Sequence, residues 1–264
     1  MNQDQRRRYL IEELLLERPS CRRQEIPADA DRQKVLLRSL MNVRHPAATS
    51  KEFLEVQDAY LRGELAAKKI TRLSELSPVR EGIYLWRGDI TTLECGAIVN
   101  AANSGMTGCY QPCHNCIDNC IHTYAGVQLR LKCAEIMAEQ GYEESTGQAK
   151  ITPAYNLPCD YVIHTVGPIV RGSPTARDCE LLESCYRSCL KLADENGVES
   201  IAFCCISTGV FMFPNDKAAQ IAVRKVRDYK AETGSKIEVI FNVFKNDDYE
   251  LYREFLSADR TNQE

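Results

Sequence analysis

The chain of 264 residues has no apolar run approaching the roughly 18 to 20 residues that span a bilayer, and no basic tract dominates any segment. The first absence argues against a membrane protein. The second argues against nucleic acid held by bulk electrostatics, since 33 Lys+Arg face 37 Asp+Glu for a net charge of −4. There is no internal repeat and no low-complexity segment. A secretory signal is also missing from the opening MNQDQRRRYLIEELLLERP: its apolar residues are interrupted by Glu12, Glu13 and Glu17, which reads as an amphipathic helix. A cytoplasmic location is the expectation, and the length suits one large domain or a main domain with an appendage.

What the chain has in quantity is cysteine. Thirteen is an odd number, scattered along the sequence, and several stand where a core needs small apolar groups. Leu182, Cys185, Cys189 and Leu192 recur at helical spacing, and Cys204 and Cys205 lie inside an apolar run. These read as reduced core residues. Residues 105–126, GMTGCYQPCHNCIDNCIHTYAG, differ: they hold four cysteines and two histidines. Within them Cys109, His114 and Cys116 fall at C-x4-H-x-C, with Cys113 and Cys120 alongside. Thiolate plus imidazole is the set zinc prefers, and three ligands leave a position open. The spacing is not one of the specific finger patterns, so it leaves open the plainer reading of buried cysteines and a turn-capping His114.

The first 78 residues read as helical with no convincing strand: a stretch through Tyr9 and Leu14, a second after Asp29 and Asp31, and a third from Thr49 with Glu52 as a capping box. Arg22, Pro27, His45 and Pro46 fall in the connections. This part is expected to be a helical cap on a main domain at 79–264. There, short apolar strands at 83–86, 97–101, 149–152, 161–166, 201–206 and 237–244 alternate with helical patterns at 116–140, 176–196 and 214–233, ended by Gly141, Gly197 and Gly234. A last helix covers 249–256. The alternation predicts a three-layer α/β/α domain around a sheet covered on both faces.

Ligands in such folds bind beyond the carboxyl ends of the strands. Three polar loops follow strands here: GDIT at 88–91, NAANS at 100–104 and STGVF at 207–211. Consecutive N–H groups in the last can hold a phosphate, and an ordinary strand-to-helix turn is the competing reading. Asp89 can accept from an adenine amino group or cap a helix. Asn100 and Asn103 suit ribose hydroxyls. Phe244 can stack on a base, whereas His122 and His164, in apolar patterns, read as core or cleft-lining residues.

The order GDIT, VNAANS, IDNCIHTYAG, VIHTVGP and ISTGVFMFP resembles the macrodomain family over about residues 82–258. The cysteine and histidine insertion and the helical extension resemble its zinc-dependent branch, microbial protein-ADP-ribose hydrolases. These are often linked to sirtuin-type transferases that modify a lipoyl-carrier protein. The resemblance implies a macrodomain with a mixed central sheet after a helical extension. It implies a Zn2+ cofactor on Cys109, His114 and Cys116, and removal of mono-ADP-ribose from Asp or Glu side chains by hydrolysis of an ester or glycosyl bond. Asp89 and Ile90 would hold adenine, Asn103 would lie at the distal ribose, and Ser207, Thr208, Gly209, Val210 and Phe211 would wrap the diphosphate. Cys116, Ile117 and Asp118 would stand at the mouth of the cleft, with Asp118 and Asn103 the catalytic candidates. In relatives without the insertion, the matching aspartate is implicated in activating water. Here the surrounding loop is replaced, so Asp118 stays open between base, ribose ligand and partner of the metal ligands. A reader that binds ADP-ribose without cutting it and carries a structural zinc is the alternative from another class, and a helical-cap interaction protein whose zinc is closed by Cys113 or Cys120 is the third reading.

Overall fold

The computed structural model describes residues 1–18 and 25–257; Cys21, Arg22 and residues 258–264 lie outside the described residues. Three helices come first, α1 (Gln3–Leu16), α2 (Ala30–Val43) and α3 (Lys51–Ala66). Each starts on a side-chain cap: Asn2 in a capping box with Gln5, Asp29 accepting from the N–H of Arg32, and Ser50 from that of Phe53. The third cap is therefore Ser50 and not Thr49. The apolar faces of the three helices close on each other through Leu10, Leu14, Leu37, Leu40, Phe53 and Leu61, and Val127 from the main domain joins them.

The strands are β1 (Thr71–Arg72), β2 (Pro78–Arg80), β3 (Ile83–Arg87), β4 (Leu93–Glu94), β5 (Ala97–Ala102), β6 (Ala149–Pro153), β7 (Tyr161–Val166), β8 (Ser200–Phe203) and β9 (Glu238–Val243). The helices of this part are α4 (Ile117–Ala125), α5 (Val127–Gln140), α6 (Ala176–Glu195), α7 (Asn215–Thr233) and α8 (Asn246–Ser257). Strand pairing begins before the expected boundary: β1 pairs in parallel with β4, and β2 starts at Pro78. Elements of two or three residues are too short to carry a period.

The main sheet has seven strands in the order β2-β3-β9-β8-β5-β7-β6. The inner five are parallel, and β2 and β6 run antiparallel at the edges. Ile98, Val99, Val162, Ile163, Ile201, Val239 and Ile240 are all fully buried, as a sheet covered on both faces requires. On one side α6 packs on β6 and β7 and α8 on β3 and β9, with α7 between them; α4 and α5 lie against β5 and β6. Cys185 and Cys189 of α6 are fully buried in this core, and Tyr186 stacks on Phe203 with ring centroids 5.0 Å apart. Every cysteine among the described residues is a free thiol.

The helical pattern at 116–140 is two helices. Gly126 ends α4 and starts α5 with φ of 101°, a conformation that favours glycine, and Gln57 of α3 fills the space where a Cβ would stand. The same Gln57 accepts from the N–H of Val127 at 2.9 Å. No helix among the described residues is long and apolar enough to cross a membrane.

Candidate functional site

Because β3, β9, β8 and β5 are parallel, the loops that follow β3, β5 and β8 emerge at one edge of the sheet. The segment 105–116 leaves β5 at this edge and enters α4. Gly108 has φ of 85°, and its missing side chain leaves room for the His122 ring, which a Cβ would meet at 2.8 Å. The loop is thereby pressed onto the first turns of α4.

The ligand atoms of Cys109, His114 and Cys116 lie within 4.8 Å of one another, all three residues half-buried. Cys109 Sγ and His114 Nδ1 are 3.6 Å apart. Bonds of about 2.3 Å to sulfur and about 2.0 Å to nitrogen at tetrahedral angles give an edge of roughly 3.5 Å, so the donor set fits zinc. Burial pushes the Cys116 thiol up to about 12, against the Asn119 backbone N–H and with Cys109 alongside. A cation at this point would reverse that cost. The two other cysteines of the segment face elsewhere: Cys113 Sγ meets Ser39 Oγ at 3.2 Å, and Cys120 Sγ lies 3.7 Å from Arg38 Nη2.

One turn into α4, Asp118 is buried. Asn100 Nδ2 donates to its Oδ1 at 2.8 Å and Asn103 Nδ2 to its Oδ2 at 3.2 Å. Burial pushes this carboxyl up to about 6, opposed by Asn100, the Arg130 charge and Asn103. Asn103 is fixed in turn: its Nδ2 also faces the Gly108 carbonyl at 3.2 Å, and its Oδ1 accepts from the N–H of Gly105 at 3.0 Å. Asn100 is not open to a ribose, contrary to the expectation from its loop. It is fully buried, and its amide is spent on Asp118 and on His164 Nδ1 at 3.1 Å.

Since an amide nitrogen only donates, His164 Nδ1 accepts and its Nε2 carries the proton that it donates to Thr152 Oγ1 at 2.9 Å. His122, Cys133 and His164 form a second group whose ligand atoms lie within 4.8 Å. All three residues are buried; both nitrogens of His164 are occupied, whereas those of His122 have no hydrogen-bond partner among the described residues, so the group lies in the interior, in keeping with the apolar setting of both histidines. Burial pushes His164 down to about 3 and holds His122 well below its ordinary value of 6.5. The unfolded imidazoles take up protons below about 6.5 and the folded ones resist, so the unfolded state binds more protons there. This stability is complete above that pH and is lost as the pH falls towards 3. The melting temperature is expected to drop on acidification below pH ~6.5, and less steeply in His164→Gln; equal slopes would remove His164 from the titration.

The loop after β8 is shaped for an anion. Ser207 is in the left-handed region with φ of 66°, and Gly167 meets it so closely that a Cβ there would stand 2.0 Å from Ser207 Oγ. Thr208 folds back through its Oγ1 to the Cys205 carbonyl at 3.0 Å, and the N–H of Phe213 reaches the Ser207 carbonyl at 3.0 Å. The N–H groups of Gly209, Val210 and Phe211 take no acceptor among the described residues, and Ser207 Oγ is buried without one. Val210 is 69% exposed, so the loop is open on its outer side.

Asp89 caps the 3-10 turn Ile90–Thr92, its Oδ1 accepting from the N–H and hydroxyl of Thr91 at 3.0 and 2.6 Å. Its Oδ2 is 3.6 Å from Lys68 Nζ, which also sits 4.1 Å over the Tyr124 ring. Ile90 is buried, and Phe244 at the end of β9 is 78% exposed at the same edge. Lys68, Arg38 and Asn42 carried no signal in the sequence; isolated polar residues on amphipathic helices look like solvated faces until the fold brings them to a site.

A family model described as Macro domain matches residues 99–222. A protein of Treponema medium called protein-ADP-ribose hydrolase is 62% identical over 261 residues, covering 97% of this chain and 100% of its own. A crystal structure of a Trypanosoma brucei macrodomain in complex with ADP superposes with a TM-score of 0.66 at 32% identity, over 83% of this chain and 96% of that one. A second, in complex with ADP-ribose, gives 0.63 at 32% identity, over 82% and 94%. With its mixed sheet, its strand-end loops and relatives matched along almost their whole length, the chain belongs to the macrodomain family.

Proposed function

We propose that this chain is a zinc-dependent protein-ADP-ribose hydrolase that removes mono-ADP-ribose from acidic side chains of a modified protein. The observation that carries the reading is the sharing of one helix terminus. Cys116, the last residue of the C-x4-H-x-C set, caps α4, and Asp118 stands in the first turn of that helix. A reader that only holds ADP-ribose has no use for a three-donor thiolate site beside a buried carboxylate.

The chain's own groups divide the substrate between them. The free N–H groups of Gly209, Val210 and Phe211 bind the diphosphate, together with Thr208 and Ser207 Oγ. Asp89, oriented by Thr91 and Lys68, takes the adenine amino group, and the backbone at Ile90 lies beside it. Anchoring both ends of the nucleotide fixes the distal ribose at Asn103 and Asp118. There Asp118 accepts a proton, held in place by the amides of Asn100 and Asn103. Cys109, His114 and Cys116 would hold zinc, which supplies Lewis acidity towards an oxygen at the scissile bond or towards water.

The direct test is zinc content together with ADP-ribose release from a mono-ADP-ribosylated carrier protein of the lipoyl type, before chelation, after it, and after zinc is restored. The expected result is about one zinc per chain, with release lost and regained while the fold persists. Release that continues without zinc would return the chemistry to Asp118 and Asn103 with water.

A further inference from the structure

The segment that carries Cys109, His114 and Cys116 has little structure of its own. What fixes its path is α2 of the helical extension, more than seventy positions earlier in the chain. Arg38 Nη2 donates to the carbonyl of His114 at 2.7 Å and to Asn119 Oδ1 at 3.1 Å. Ser39 Oγ meets Cys113 Sγ at 3.2 Å. Asn42, only 1% exposed, accepts from the N–H of Cys113 at 2.9 Å and donates to Thr123 Oγ1 at 2.8 Å. That N–H belongs to a residue with φ of 53°. A left-handed cysteine costs about 1 to 2 kcal/mol, and the bond that its N–H donates to Asn42 Oδ1 holds it there.

The grip continues on the other side of the loop. Asn119, fully buried and tied to Arg38, donates to the carbonyl of Gln111 at 2.9 Å and to that of Cys109 at 3.3 Å, while its own N–H points at Cys116 Sγ from 3.4 Å. Arg130 lies 4.4 Å from the centre of the Tyr110 ring and donates to three carbonyls at the end of α2, those of Met41, Asn42 and Arg44. Residues 109, 111, 113, 114 and 116 are thus each bonded to α2 or to a residue that α2 holds.

We infer that α2 is the outer wall of the metal site: Arg38 and Asn42 are positioning residues that preorganise Cys109, His114 and Cys116 and so set their affinity for zinc. The inference rests on the zinc reading above. It gives the helical extension a role in the site, where the sequence suggested a cap. Residues that orient metal ligands from outside typically change metal affinity by about 10- to 100-fold when removed.

The test uses the full chain and measures zinc affinity by competition with a chromophoric chelator, alongside the melting temperature of the zinc-free protein and its affinity for ADP-ribose. Arg38→Gln and Asn42→Ala are expected to bind zinc about 10- to 100-fold more weakly, with ADP-ribose affinity much less affected, because among the described residues neither side chain is hydrogen-bonded to Asp89 or to the 207–211 loop. Ser39→Ala removes one contact at a partly exposed position, keeps the fold, and is expected to show a smaller loss in the same direction. The Co2+-loaded variants should also show shifted visible absorption, which a purely structural defect in the extension would not produce. Folded variants with wild-type zinc affinity and spectrum would overturn the inference while leaving the zinc reading intact. A wild-type chain that binds no zinc would overturn both.

Discussion

Cys116→Ala is expected to lower ADP-ribose release by about 10²- to 10⁴-fold, the several kcal/mol that a metal's polarisation of the reacting oxygen is worth. ADP-ribose should still bind, because the N–H groups of Gly209, Val210 and Phe211 and the Asp89 carboxylate are untouched. The side chain has a second duty, though: Cys116 is the N-cap of α4, its Sγ accepting from the N–H of Asn119. Loss of a cap costs about 1 kcal/mol and would loosen the turn that carries Asp118. Cys116→Ser separates the two duties, since serine is a strong cap and a poor zinc ligand. It is expected to melt like the zinc-free wild type or slightly above it and to remain inactive. A serine variant that regains release would show that Cys116 acts by capping alone.

The fold was largely readable because strands buried on both faces are continuous apolar runs. The runs at 97–101, 161–166 and 237–244 correspond to β5, β7 and β9 within a residue. The loops of the candidate site were readable because each directly follows a strand: Asp89 after β3, Asn103 after β5 and 207–211 after β8. Two kinds of feature stayed hidden. One was local: β1 and β2 are too short to show alternation, and the break at Gly126 sits inside a pattern that is helical on both sides. The other was tertiary. Asn100 stands where the expected strand and the polar loop overlap and so offers itself as a loop amide, yet it is fully buried and its amide is spent on Asp118. Arg38 and Asn42 lie on an amphipathic helix whose polar side looks solvated. Only the packing of α2 against α4 shows that this side faces backbone carbonyls and N–H groups of the cysteine segment.

Asp118→Ala is expected to reduce hydrolysis by about 10²- to 10⁴-fold, the range for a positioned proton acceptor, with zinc retained because Asp118 is hydrogen-bonded to Asn100 and Asn103 and to none of the three metal donors. Its effect on stability should run the other way. The carboxylate is buried, and its two amide donors and the Arg130 charge offset the desolvation only in part, since the carboxyl stays pushed up to about 6; removing it relieves the remainder. The melting temperature of the alanine variant is expected to equal or exceed that of the wild type. Asp118→Asn should be equally inactive and less stable than alanine. An asparagine can accept from Asn100 through its oxygen, but its own amide nitrogen would then face Asn103 Nδ2, donor against donor. Asn103 cannot turn over to relieve this, because its Oδ1 is held by the N–H of Gly105 and its Nδ2 faces the Gly108 carbonyl. Wild-type release in both variants would remove Asp118 from the reaction. An alanine variant that melts well below the wild type would instead mark Asp118 as a structural support for the amide pair. Loss of activity with stability retained or gained is the signature of a group kept at an energetic cost for the chemistry it performs.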